Sequence, residues 1–246
     1  MPVTLAHPAA VLPLRGLGLP LSALVIGSMA PDLPVFAQAW GVYGFTHDLA
    51  GIVTVDLAVS LLLLAFWDCW GRDALVDLAP SRVRDRLPAR ARIGKTAWVL
   101  APLAAVVGSA THVGWDAFTH PGRWGVRLVP WLQEQHGALS GQQWAQYGSG
   151  VVGLLVVGAA MLAVARRPAL GVRRPRRLES ATLPVAVALA AATSVTTFLV
   201  RLAADPFRTA AFHAAVVGIV ALAVVIGVLA VAWSRAPAPT TSSDTT

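Results

Sequence analysis

The chain has 246 residues, 56% hydrophobic and 13% charged, with a formal net charge of +7 and a mean hydropathy of +0.66. Several apolar runs exceed the roughly 18 residues that mark a membrane-crossing helix, which excludes a water-soluble globular domain and predicts an all-α, polytopic transmembrane helical bundle. The basic balance does not call for nucleic acid, because the arginines sit in loops between apolar runs, and the single cysteine, Cys69, excludes an internal disulfide and a cysteine-built zinc site.

The N-terminus lacks the charged start and small-residue cleavage site of a secretory signal and is expected to stay in the mature protein. Residues 1–15 predict a short helix with Thr4 as N-cap and His7 in its first turns, ended or kinked at Pro13. G-L-G-L-P at 16–20 reads as a turn, and a second short helix, Leu21 to Met29, stops at Pro31-Asp32-Leu33-Pro34. Each arm is about 15–18 Å long, roughly half of a 30 Å bilayer core. Residues 4–32 therefore read as a helical hairpin that need not cross, and the return arm brings Asp32 back to the level of His7.

His47 and Asp48 precede the first clear span, Leu49 to Trp67, and Asp56 lies inside it. An acid at that depth either faces a polar interior or makes one hydrogen bond to a neighbouring helix. Residues 68–95 read as a polar loop, followed by a second span from about Thr96 to Trp115. Residues 121–148, with Trp124, Trp131 and Trp144, read as a loop along the membrane surface, where His136 is incidental. Further spans are expected at about 149–165, 181–204 and 210–233, giving five in all. The expected organisation is a single membrane-embedded helical domain over 1–236, with 1–125 its motif-bearing half and 149–233 scaffold helices, and a disordered tail at 237–246.

The densest polar motif is Thr111 to His120, T-H-V-G-W-D-A-F-T-H. His112, Asp116 and His120 are spaced i, i+4, i+8, so on a helix they share one face. His and carboxylate one turn apart can bind one divalent ion. The two ends are about 12 Å apart along the axis, so all three do not easily grip the same ion. Pro121 is expected to end the helix and free His120 to swing or serve a second ion.

Loops 68–95 and 166–180 hold seven and six Lys/Arg, whereas 116–148 and 202–209 hold two and one. The positive-inside rule puts the first pair in the cytoplasm, the C-terminus with them, and the histidine-bearing ends at the extracytoplasmic side of the cell membrane. His213 falls on the outer half of the last span, as a further ligand or as a helix-capping or core histidine.

T-L-A-H-P-A-A-V-L-P-L, G-S-M-A-P-D-L, F-T-H-D-L and T-H-V-G-W-D-A-F-T-H together resemble an uncharacterised, domain-of-unknown-function family of bacterial integral membrane proteins. That family is distantly similar to membrane-bound metal-dependent hydrolases, including the LexA-regulated type, and more remotely to zinc-dependent phospholipase C. The resemblance covers about residues 1–125. Carried over, its pattern falls on His7, Asp32, His47, His112 and Asp116 as metal ligands, with His120 an addition. Pro34 stands where the hydrolases often carry a second acid.

The resemblance implies a divalent metal, expected to be zinc, and a metal-dependent hydrolase acting on a lipid headgroup or other amphiphilic ester or phosphodiester. Zinc lowers the pKa of bound water to about 7 and so makes a nucleophile available. Asp116 and Asp32 are then ligands or a bridge, and His120 or an unused carboxylate is the general base, so that His120 and Asp116 are the catalytic candidates. Arg123 and Arg127 are phosphate clamps on this reading, or a solvated loop. The competing classes are a non-catalytic membrane protein with a structural metal or polar cluster, and a metal or proton transporter. A transporter is expected to show internal repeats or paired broken helices, and the sequence has no convincing repeat.

Overall fold

The computed structural model describes residues 4–171 and 176–237. Among these the secondary structure is helical except for one antiparallel pair of two-residue strands, β1 (Gln135–His136) and β2 (Leu139–Ser140). Five helices are long and apolar enough to cross a membrane. We label them α5 (Leu49–Leu78), α6 (Lys95–Thr119), α7 (Gly141–Ala165), α8 (Thr182–Leu202) and α9 (Phe207–Arg235). Four short helices precede them: α1 (Pro8–Val11), α2 (Leu21–Gly27), α3 (Leu33–Phe36) and α4 (Trp40–Thr46). The chain packs as two compact units, Met1–Ala65 with Ile93–Ala163, and Phe66–Arg92 with Val164–Thr246.

In the first unit the front of the chain is a hairpin. A short helical arm ends at Gly18, whose φ of 75° suits a residue without Cβ, and α2 returns from it. The return arm lies directly on α6. A Cβ on Gly27 would strike the backbone of Ala105, and one on Gly108 the carbonyl of Leu24, so these glycines set the helix separation. Ser109 donates across this contact to the Gly27 carbonyl at 3.0 Å. Thr4 is not the N-cap expected of the first arm. Its hydroxyl donates to Asp32 Oδ2 at 2.5 Å, tying the two arms at their open end.

α5 starts on Asp48, whose carboxylate accepts from the Gly51 amide at 2.9 Å, and is π-wound over Ile52–Asp56 and Trp67–Gly71. It runs on to Leu78, so the expected loop from residue 68 begins as helix. The charges responsible for that expectation are neutralised in place. Asp73 accepts from Arg72 and from Arg92, both at 2.8 Å, and Asp77 from Arg84 at 2.8 Å. The expected loop 121–148 is likewise shorter. Its last residues form the start of α7, with Gln146 buried and Trp115 Nε1 bonded to Ser149 Oγ at 3.1 Å.

In the second unit α8 and α9 are close neighbours, joined where Ser194 Oγ donates to the Ala214 carbonyl at 2.8 Å. Asp77 collects the Trp233 indole N–H at 2.8 Å and the Arg177 amide at 3.0 Å, and the Arg177 guanidinium lies over the Trp233 ring. The greater part of the expected C-terminal tail lies outside the described residues.

Candidate metal centre

Four segments of the first unit deliver polar side chains to one point. His112 and Asp116 come from the last turns of α6, one turn apart. His120 is the C-cap, its backbone extended ahead of Pro121, with its amide still bonded to the Asp116 carbonyl at 3.0 Å. His47 follows α4, where Thr46 anchors the chain by donating to the Pro31 carbonyl at 2.8 Å. Asp32 sits in the 3-10 turn ahead of α3, and His7 on the first arm of the hairpin.

One donor atom each from Asp32, His47, His112 and Asp116 fall within 4.8 Å of one another, and all four residues are buried. His112 Nε2 is 3.4 Å from Asp116 Oδ2 and 3.6 Å from Asp32 Oδ1. His47 Nε2 is 3.5 Å from Asp116 Oδ2 and 3.7 Å from Asp32 Oδ1. His7 Nε2 is 3.6 Å from Asp116 Oδ1, and His120 Nδ1 is 3.4 Å from Asp116 Oδ2. The His7 ring stacks on that of His112 with centroids 3.7 Å apart.

These separations are too long for N–H···O bonds, which close to about 2.7–3.2 Å. Ligand bonds of about 2.0–2.2 Å at tetrahedral angles hold neighbouring ligand atoms about 3.3–3.6 Å apart. The His–Asp separations of 3.4–3.7 Å come near that spacing, and the whole group, within 4.8 Å, could hold an ion. Ring orientation agrees. His112 Nδ1 donates to the Ser28 carbonyl at 2.8 Å and His47 Nδ1 to the Tyr43 carbonyl at 2.9 Å, which turns the Nε2 of each ring inward toward the carboxylates. His47 Nε2, His112 Nε2 and both Asp116 oxygens have no hydrogen-bond partner. Donor atoms gathered in a buried pocket without hydrogen bonds call for a proton or a bound cation between them. The two carboxylates match the charge of a divalent ion, and the nitrogen and oxygen donors could hold one.

At His7, burial pushes the imidazole down to about 4, helped by His112 and opposed by Asp116 and Asp32, so it is neutral at neutral pH. Burial pushes the Asp32 carboxyl up, but the neighbouring His112 ring and the Thr4 hydroxyl outweigh it and hold the group below its ordinary value. His120 is also held below the ordinary histidine value, by burial.

Of the remaining sequence candidates, Arg123 comes within 3.5 Å of the His47 carbonyl, at the edge of the cluster. Arg127 is exposed and turns back to the Gly122 carbonyl at 3.0 Å. His213 bonds within its own helix to the Thr209 carbonyl, and His136 to the Trp131 carbonyl in the surface hairpin. Asp56 is buried in the first π-wound turn, and neither of its oxygens has a hydrogen-bond partner. Two residues near the cluster were not anticipated. Thr4 buttresses Asp32, and Gln146 of α7 places its amide nitrogen 3.2 Å from His120 Nε2. The run Gln146, Ser149, Gly150, Gly153 on one face of α7 was the available signal for the second.

No curated protein and no solved structure matches the chain. The model of one protein family, described as a domain of unknown function (DUF4184), matches residues 1–233. With almost its whole length covered, and with the buried His and Asp cluster inside the matched region, the chain belongs to this family.

Proposed function

We propose that the protein is a membrane-bound metal-dependent hydrolase that cleaves a lipid headgroup or another amphiphilic ester or phosphodiester. The observation that carries this reading is the set of inward-facing, unpartnered donor atoms on His47, His112 and Asp116. The bias of Lys and Arg among the loops supports a centre toward the extracytoplasmic side, with the C-terminus in the cytoplasm.

His47, His112, Asp32 and Asp116 hold the ion, with His7 beside them on Asp116. A bound divalent metal supplies a Lewis acid and lowers the pKa of water to about 7. His120 is the member best placed to take up the proton of the attacking water. Its side chain is 17% exposed where the carboxylate it faces is 1% exposed, and Gln146 fixes its ring. Arg123, at the rim, offers a cation to an anionic headgroup.

A structural ion that pins the N-terminal hairpin to α6 is the second reading, favoured by the burial of all four donors. Metal analysis of purified wild type and His112→Ala, with a panel of phospholipids and carboxylic esters, tests the proposal. Bound metal, and turnover that His120→Ala removes without removing the metal, supports the hydrolase. Metal-free wild type overturns it. Bound metal with no turnover across the panel leaves the structural pin.

A further inference from the structure

A cavity of ≈380 Å³ lies against the cluster within the first unit. Its polar lining is His7, Thr119, Gln146 and Ser149, of which His7 and Gln146 also touch the cluster's own residues. The rest of its α7 wall is Gly150, Val152, Gly153 and Val156, and the facing wall from the hairpin is Ala6, Ala9, Ala10 and Pro13. The hollow exists because small residues face one another. Gly153 already meets Ala6 so closely that a Cβ on it would collide, and Gly150 and Ala10 line the space beside them.

From Gln146 to Val156 the helix rises about 15 Å, the depth of one leaflet of a bilayer whose hydrocarbon core is about 30 Å. The α7 wall thus begins polar at Gln146 and Ser149 and continues apolar over about 9 Å from Gly150 to Val156, within the depth of one leaflet. The volume is at the small end of the roughly 300–1,000 Å³ of ligand sites, enough for one slender molecule.

We propose that this cavity seats one alkyl chain of an amphiphile whose polar group lies at the metal cluster. The identification of the polar end with a reaction centre rests on the hydrolase reading; the binding of the chain does not. The cavity's two kinds of lining match the two ends of a single-chain anchor. Gln146, 8% exposed, is the buried polar residue at the junction between them.

The test uses the full-length protein in nanodiscs containing a phosphatidylglycerol with a diazirine near the end of one acyl chain. After irradiation, labelled residues are mapped by mass spectrometry. Enrichment of label on Ala6, Ala9 and Gly153, buried or half-buried in the cavity lining, at least fivefold over the exposed Leu155 and Val151 is expected, falling to the level of those two in Gly150→Trp while metal content is kept. Val156→Trp, at the end of the cavity away from Gln146, is the second variant. It should shift preference toward shorter-chain probes, and serves if Gly150→Trp does not fold. Labelling of the cavity no stronger than of Leu155, or unchanged in both variants, overturns the inference. Cavity labelling without turnover of any lipid supports the seat and counts against the hydrolase, whereas turnover with no cavity labelling does the reverse.

Discussion

The Nδ1 of His112 donates to the carbonyl of Ser28, 84 positions away, at 2.8 Å. One hydrogen bond thus couples two features that differ in kind. It fastens the N-terminal hairpin to α6, and it turns the His112 Nε2 toward Asp32 and Asp116. The orientation of the His112 ring toward the cluster thus depends on a backbone carbonyl that the folded hairpin supplies.

Removing the His112 ring should therefore remove the metal. Purified wild type is expected to carry about one equivalent of divalent ion, and His112→Ala less than a tenth of that under the same dialysis. Elemental analysis reads the outcome directly. Equal metal in the two proteins would place the ion elsewhere.

The residue behind a ligand should matter nearly as much. Thr4 holds Asp32 through a 2.5 Å hydrogen bond and contacts no proposed ion. Thr4→Val keeps the shape and deletes the donor. Metal affinity should weaken about tenfold, the lower end of what outer partners contribute, with the thermal midpoint of the metal-free protein little changed. Titration with zinc in a competing chelator measures it, and an unchanged affinity would leave Asp32 without a ligand role.

Much of this centre was legible before any coordinates. His112, Asp116 and His120 are readable because a helix repeats every 3.6 residues, and Asp32 follows from a hairpin whose arms are too short to cross. What could not be read are the partners that are backbone, such as the Ser28 and Tyr43 carbonyls, since any sequence offers a carbonyl at every position. Gln146 escaped for a different reason. It lies where polar composition suggested a surface loop, and the structure sets it on His120, with the neighbouring Ser149 bonded to Trp115. Arg72, Asp73 and Asp77 were similarly read as loop, because pairing with Arg92, Arg84 and Arg177 is invisible one residue at a time.

The α2–α6 contact tolerates no added bulk. Gly108→Val would drive its side chain into the Leu24 carbonyl, and the helices must part. A cost of about 1–3 kcal/mol is expected for such overpacking. The Ser109–Gly27 and His112–Ser28 bonds cross the same contact, so zinc affinity should fall along with the thermal midpoint. Gly114→Ala, on the same helix but with open space around its Cα, is the control and should change neither.

Protonation should act through His7 in the metal-free protein. Its imidazole is held at about 4 by burial, reinforced by His112, against an ordinary 6.5. Between these values the unfolded chain takes up a proton that the folded protein refuses. The stability owed to a neutral His7 is thus complete above pH 6.5 and is lost as pH falls toward 4, by about 3 kcal/mol at most. His120, also depressed by burial, adds to the same trend. Thermal midpoints in chelator at pH 7, 6 and 5 should decline for wild type and decline less steeply for His7→Gln. Parallel slopes would show that His7 takes up its proton equally in both states.

A substitution in the second unit should separate stability from metal binding. Asp77 accepts from Arg84 at 2.8 Å, from the Trp233 indole at 2.8 Å and from the Arg177 amide at 3.0 Å. Asp77→Ala takes a carboxylate away from two basic residues and a tryptophan that it holds together, leaving the indole N–H without that acceptor. Deleting one member of such a network is expected to cost about 3 kcal/mol, because the remaining charges were desolvated against it. None of these groups belongs to the cluster around Asp116. The thermal midpoint should therefore drop while zinc per folded molecule stays at the wild-type value. Loss of zinc in Asp77→Ala, measured well below its midpoint, would mean that the centre is not a self-contained property of the first unit, and the fall in His112→Ala could then no longer be assigned to a missing ligand.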